Sequence, residues 1–525
     1  MTEAEHPRGA VLVLAGATAV AVAVGRWRPY AATAAGVLGV AAAVGVAYGP
    51  WLENVAERSR ALGAAPDLVA LLALSVRLDP ALESATAFAA EHADGRLADS
   101  LAAHAREARG RPGAGFAAFA ETWGDDLPSL RRAAALLDAA VDAPAGDRER
   151  LLDRTLAVAV EGARERASEY ADAVHGPTTA VYAFGVVLPL ALVGVAPAAA
   201  SAGLPLTVGA VALAYDVALP LAVLAVVCWI LARRPVAFPP AALPDDHPAL
   251  AGRGRRALAA AACGVLAAVA ATTALPGWAL PLLAVGWPAG GALAAWCQPA
   301  CAVRADVRDL EAGLADALSV LGQRIRHGRS VEAAVADVGD TVDGATGDAF
   351  AAAARRTTRL RVGVADAFCG DHGPLSRTPS QRARAAVSLV VHAADAGRPG
   401  GRVLVDVADL FDDLAALDRE VRREFAATTR TLRHTGLVYA PLVAGVTVAL
   451  SERVGGLDGA TALPTPALAL AVGGYVLWLA VVLPALAVGL DRGLDRSLVG
   501  YHAGVALLAA TTVYPLTAVA AGNAL

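Results

Sequence analysis

Three groups of side chains in this sequence have types and spacings suited to more than packing. Cys297 and Cys301 stand four residues apart, one helical turn, which is half of a metal site. No histidine or carboxylate accompanies them, so they read as small packing residues near a helix end. Asp216 interrupts "VALAYDVALPLAVL", a run with no other charge. A carboxyl inside a membrane span is costly and marks a candidate contact with a partner or a neighbouring helix. If the span begins later, the same residue lies at the outer interface instead. The third group is cationic: Arg355, Arg356, Arg359 and Arg361 in "RRTTRLR", preceded by Arg324, Arg326 and Arg329. Such a face either docks an acidic protein surface, since complementary charge steers association, or lies solvated and paired with nearby carboxylates.

Catalytic signatures are missing from the chain. It contains no GxxxxGK[ST], no HExxH and no GxSxG. The ten histidines are dispersed. His92 and His104 fit a solvated helix face, while His175 and His434 stand where charged segments give way to apolar runs and suit an interfacial role. These features predict a protein that is not an enzyme, with no cofactor and no metal. Nucleic acid is also an unsuitable partner: the two charged segments carry net charges of −7 and 0, without interleaved aromatics.

The elements that must position these residues emerge from composition. Of the 525 residues 56% are hydrophobic and only 18% charged, and all 44 basic residues are arginine. Forty of the 49 acidic residues and 33 of the 44 arginines fall in residues 53–175 and 302–434. The rest is almost uncharged, and uncharged apolar runs of about 20 residues span bilayers. Nine candidate spans follow: Gly9–Val24, Ala31–Tyr48, Thr178–Ala196, Leu204–Leu231, Ala257–Leu275, Trp278–Ala300, Gly436–Leu450, Pro464–Leu490 and Tyr501–Ala521. The first apolar run is followed at once by another and lacks a clearly basic leader, so it reads as a span and not a signal peptide. The expected organisation is a membrane hairpin (1–52), a first cytoplasmic module (53–175), central spans (176–301), a second cytoplasmic module (302–434) and C-terminal spans (435–525). Outside the modules this orientation leaves eight arginines inside and three outside; "GRWRPY" is the exception.

Both charged segments carry the stripe of helices packed on helices. Leu314, Leu318, Leu321 and Ile325 recur at spacings of three and four. So do Leu130, Ala134, Leu137 and Val141, and the series Val403, Val407, Leu410, Leu414, Leu417, Val421. No period-2 run of β-branched residues competes. Breaks are expected at Pro112, Pro128, Pro144, Pro374 and Pro399. The fold class is therefore all-α: a polytopic membrane protein with about nine transmembrane helices and two helical-bundle modules.

The modules repeat. "VRLDPALESATAFAAE" (76–91) is echoed 249 positions later by "IRHGRSVEAAVADVGD" (325–340): an arginine, a turn, then apolar–Glu–small–Ala. Each segment also ends alike, in a charged helix, a histidine, then an apolar run with Tyr182 or Tyr439. This argues for two tandem copies of one unit.

The unit, with its turn at Gly328, Gly-rich break at 397–401 and long heptad helix "VLVDVADLFDDLAALDREVRREF" leading into a span, resembles the type II secretion system F family. The first copy is a weaker match, with Asp79-Pro80 at its turn and "DAPAGDRERLLDRTL" in place of the Gly-rich break. Two modules with extra spans resemble the archaeal branch that serves pili and archaella. The resemblance implies an integral cell-membrane platform with no chemistry of its own. Its implied partners are a cytoplasmic hexameric assembly ATPase, pilin-like subunits, membrane lipid and a second copy in a homodimer. The competing reading is a secondary transporter with Asp216 as its coupling site, although transporter repeats lie in the spans and these lie in the soluble helices.

Overall fold

The structure is a computed structural model. It describes residue 58 and residues 61–524, apart from 94, 108–113, 202–206, 233–242, 245–246, 397, 458–463 and 494. Twenty α-helices and no strand run through the described residues; three π-helical turns join six of the helices in pairs, leaving seventeen continuous runs. Seven of these helices are long and apolar enough to cross a membrane, the signature of a multi-pass membrane protein. They coincide with the last seven expected spans; Gly9–Val24 and Ala31–Tyr48 lie outside the described residues.

The first charged segment folds as α1 (Ala65–Leu78), α2 (Leu82–His92), α3 (Arg96–Glu107), α4 (Ala114–Gly124), α5 (Pro128–Asp142) and α6 (Ala145–Tyr182). A π-helical turn, Ala183–Val187, joins α6 to α7 (Leu188–Ser201). Next come α8 (Val208–Ala212), a second π turn (Leu213–Ala218), α9 (Leu219–Ala232), α10 (Arg253–Ala270) and α11 (Leu280–Ala312). The second charged segment repeats the order of the first: α12 (Leu314–Arg326), α13 (Val331–Thr341), α14 (Gly344–Leu360), α15 (Val364–Cys369), α16 (Gln381–Ala396) and α17 (Arg398–His434). A third π turn, Thr435–Tyr439, leads to α18 (Ala440–Leu457), followed by α19 (Thr465–Arg492) and α20 (Arg496–Ala524).

The repeat extends to how the elements pack. In each module the first helix lies on the long last one (α1 on α6, α12 on α17), and each intervening helix packs on its neighbour. The turns differ in chemistry. Gly328 takes a positive φ of 87°, open to glycine because it has no Cβ, and the Ser330 hydroxyl then caps α13 by accepting from the Ala333 amide at 3.3 Å. The first copy turns instead through an extended Asp79, whose amide closes α1 on the Ser75 carbonyl.

The apolar stripes face inward: Leu130, Leu137, Leu318, Leu321, Val407 and Leu414 are all buried. One continuous apolar cluster takes in residues from Ala61–Ala159 and Leu310–Ala408, so the two modules share a core. Ion pairs line their joint. Arg77, the arginine of the first echo, bridges Asp153 of its own module and Asp406 of the other. Arg382 reaches Asp67 at 3.0 Å; burial works against the charge on this guanidinium, but Asp67 and Glu311 outweigh it and hold the group above its ordinary pKa. His92 and His104 are half-buried, not solvated as expected. His92 stacks on Phe88 with ring centroids 4.2 Å apart, and Phe88 meets His392 of the second module edge-on at 5.0 Å.

Both modules hand over to the membrane without a break. Residues 145–196 form one helical run of 52 residues and 400–453 one of 54. At 1.5 Å per residue each is roughly 80 Å long, against about 30 Å of hydrocarbon. The two runs pack along each other, α6 on α17 and α7 on α18.

The expected break at 397–401 is different in kind. Gly400 and Gly401 belong to the first turn of α17. Their lack of side chains serves contact: a Cβ on Gly401 would sit 2.7 Å from the Arg326 amide nitrogen and the Gly322 carbonyl oxygen of α12. Neither backbone atom can yield cheaply. Gly401→Ala is expected to lower the apparent melting temperature of the detergent-solubilised protein clearly. Gly176→Ala, in the open middle of α6 with nothing within 4 Å, should stabilise by about 0.5–1 kcal/mol through helix propensity. Equal effects of the two substitutions would refute the close α12–α17 contact.

Candidate functional site

The seven arginines reach one place by two routes. α11 passes its last apolar turn near Ala300 and runs on through Gly313 into α12, which carries Arg324 and Arg326 about 36 Å of helix beyond that turn. α13 doubles back from there. α14 starts beside the α11–α12 junction, where the Thr346 hydroxyl donates to the Leu310 carbonyl at 2.6 Å. It then runs antiparallel to α13, with Gly339 against Ala351. That register carries Arg355–Arg361 back alongside residues 329–335. Both arginine groups therefore stand at the end of the second module farthest from the spans.

The electrostatics divide the set. Arg324 and Arg329 share Asp337, at 3.4 and 2.9 Å. Arg356 is half-buried and donates to the Asp371 carbonyl at 2.8 Å, which anchors the α14 end to the loop after α15. Arg326, Arg355, Arg359 and Arg361 are exposed and have no carboxylate at ion-pair distance among the described residues. Arg361 closes α14 in the left-handed region, at φ 54°. Charge there also complements the negative end of the helix dipole, which gives these arginines a structural benefit beside any docking role. Sequence order alone separates the two groups by some 26 residues; the helix hairpin brings them together.

Asp216 lies in the second π turn, eight residues into the 23-residue run Gly209–Leu231, hence about 10 Å along it. It is half-buried, and its Oδ1 lies 2.9 Å from where a Cβ on Gly474 would be. The carboxyl thus rests on a bare stretch of α19.

Around it the three π turns follow one rule that the sequence reading missed. Each ends two residues before a proline: Pro189, Pro220 and Pro441. A helical proline has no N–H and its ring collides with the fourth carbonyl back. In all three places the preceding residue (Leu188, Leu219, Ala440) donates to the fifth carbonyl back, opening the turn. Pro288, Pro299, Pro484 and Pro515 sit inside helices without a π turn, so proline is necessary to the pattern but does not suffice. Lipid offers a displaced carbonyl no partner; at the first turn a neighbouring tyrosine does. Tyr475 of α19 donates to Gly185, the carbonyl Pro189 cannot serve, and Tyr215 donates to the Pro189 carbonyl at 2.6 Å. The two rings meet edge-on, centroids 5.9 Å apart.

Cys297 is buried against Gly500 and the Cys301 thiol faces the Ser497 carbonyl, so both pack α11 onto α20. Among the described residues no three His, Cys, Asp or Glu side chains converge as metal ligands. His175 and His434 are exposed, each at the start of an apolar run. No protein-family model matches the chain, and no curated protein or solved structure matches it either.

Tyr475→Phe removes a hydroxyl and strands the Gly185 carbonyl, an expected loss of about 1–2 kcal/mol in detergent unfolding. With Pro189→Ala already in place the backbone amide returns, and the same Tyr475→Phe change should cost much less. Equal costs in both backgrounds would refute the link between proline and tyrosine.

Proposed function

We propose that this protein is a membrane platform for assembling pilus-like filaments or for type II-like secretion, coupling a cytoplasmic hexameric ATPase to pilin-like subunits in the membrane. The observation that carries the reading is the pair of uninterrupted helices, 145–196 and 400–453, each rooted in a six-helix module and continuing through an apolar run. A force applied to the modules reaches the spans through continuous backbone. The arginine tip supplies a docking surface at the far end of that lever, and complementary charge would guide an acidic face of the ATPase onto it. In this reading the modules are cytoplasmic, the protein performs no reaction, and a homodimer would offer two tips to the ATPase ring.

Charge reversal at the tip is the direct test. Arg355→Glu, Arg359→Glu and Arg361→Glu together, in the full chain, should abolish filaments or secretion seen by electron microscopy and export assay. Membrane insertion should persist, because each change costs only about 0.3–1 kcal/mol of helix-end stability. Arg106→Glu, at the position 249 residues before Arg355 on the first module, should have little effect. Wild-type filaments and export in a strain lacking the protein would sink the platform reading. Loss of solute uptake in Asp216→Asn, with filaments intact, would support the transporter instead.

A further inference from the structure

A cavity of about 670 Å³ lies where the two modules rest on the ends of the spans, walled by α1, α11, α16, α17, the α2–α3 corner and the α19–α20 turn. Six guanidinium groups face it, from Arg304, Arg308, Arg382, Arg419, Arg422 and Arg492. Five carboxylates also line it: Asp67, Glu311, Asp412, Asp418 and Asp495. Asp67 and Glu311 neighbour Arg382 on the side towards the modules. On the side towards the spans, Arg304 pairs with the fully buried Asp495, Arg422 with Asp418 at 2.7 Å, and Arg433 and Arg492 share Asp491 at 3.0 and 3.4 Å. Over the whole lining six arginines stand against five carboxylates, and Arg308 and Arg419 are left without an ion-pair partner among the described residues. The buried Nε atoms of Arg304, Arg433 and Arg492 find no acceptor among the described residues, and the buried Oδ2 of Asp495 finds no donor.

The height of this cluster matters. Arg304 and Arg308 follow the apolar run that ends at Ala300, Arg433 precedes the one that begins at Gly436, and Arg492 follows the one that ends at Leu490. All four lie within about 12 Å of helix from the hydrocarbon, the depth of lipid headgroups. Asp495 is committed elsewhere: its Oδ1 caps α20 by accepting from the Ser497 and Leu498 amides at 2.9 and 3.2 Å. It therefore positions Arg304 while leaving Arg308 and Arg492 to meet a ligand. Basic pockets between spans at this depth recognise phosphate headgroups, and the volume lies in the range of ligand sites.

We propose that the cavity binds the phosphate headgroup of an anionic membrane lipid, with Arg308 and Arg492 as its main contacts. The inference rests on the placement of the spans and not on the platform reading. The test is native mass spectrometry of the full chain in neutral detergent, titrated with phosphatidylglycerol or phosphatidylcholine. Retention of phosphatidylglycerol at least tenfold above phosphatidylcholine is expected, weakening as salt is raised. Arg308→Gln with Arg492→Gln should remove that preference, while Arg106→Gln should leave it. Should the double variant melt like an unfolded chain, Arg308→Gln alone, which breaks no ion pair, should still reduce the preference severalfold. Equal retention of the two lipids, or an undiminished preference in a folded Arg308→Gln protein, would overturn the proposal. So would thermal stabilisation by inorganic pyrophosphate without selective lipid retention, since that would make the site one for a soluble phosphate.

Discussion

A backbone carbonyl in hydrocarbon has no water to accept from, and much of this architecture follows from that shortage. A helix that enters lipid has to go on to the far side. The last helix of each module therefore continues unbroken from charged bundle to apolar span, 52 residues in one case and 54 in the other. Prolines in three of the spans locally break the bonding rule, and the backbone responds by widening one turn. A tyrosine from an adjacent helix serves the first of these turns, so an irregularity in one span becomes a specific contact with its neighbour. Asp216 occupies the second, beside a glycine that leaves room for it.

Outside the spans a different economy operates. Water satisfies polar groups, and the modules are organised by apolar burial, with charge at the margins. The twelve helices bury one shared cluster, while Arg77, Arg164, Arg382 and Arg402 form ion pairs that cross the joint. The Arg164 and Arg402 pairs are exposed and add little stability, while the Arg77 and Arg382 pairs are half-buried; together the four fix which faces meet. Where the bundles end against the spans their surfaces do not close completely, and the gap is lined by charge contributed from five separate helices and a turn.

Apolar periodicity discloses most of the helices. The stripes at Leu314–Ile325 and Val403–Leu417 are buried as their spacing predicts, because a helix in water must hide one face. The same logic cannot name the partner of that face, which is why the common core of the two modules was not legible: every stripe fits a self-contained bundle equally well. The glycines at 400–401 were read as a break, since glycine disfavours helix; tertiary contact with Gly322 overrode that preference. The wide turns carried a signal in their prolines, but other helical prolines share it, so proline alone could not locate them. Of the candidate sites, Asp216 was visible as a lone charge and the arginines as a cluster. Their convergence at one tip depended on a helix hairpin, and the cavity on segments hundreds of residues apart.

The shared core has a consequence for biosynthesis. α1 and α6 find their partners in α16 and α17, more than 200 residues later and beyond several intervening spans. At about 5–20 residues per second a ribosome needs on the order of tens of seconds to supply them. Throughout that interval the first module stands with an unfinished apolar face, including Ala70, which is later closed by Leu410 and Leu414. Its completion must therefore wait until the intervening spans have been inserted and the second half of the chain has returned to the same side of the membrane. Final folding becomes a checkpoint on correct topology: a chain threaded with one span missing would bring the second module out on the wrong side, and the first would remain an open, chaperone-dependent half.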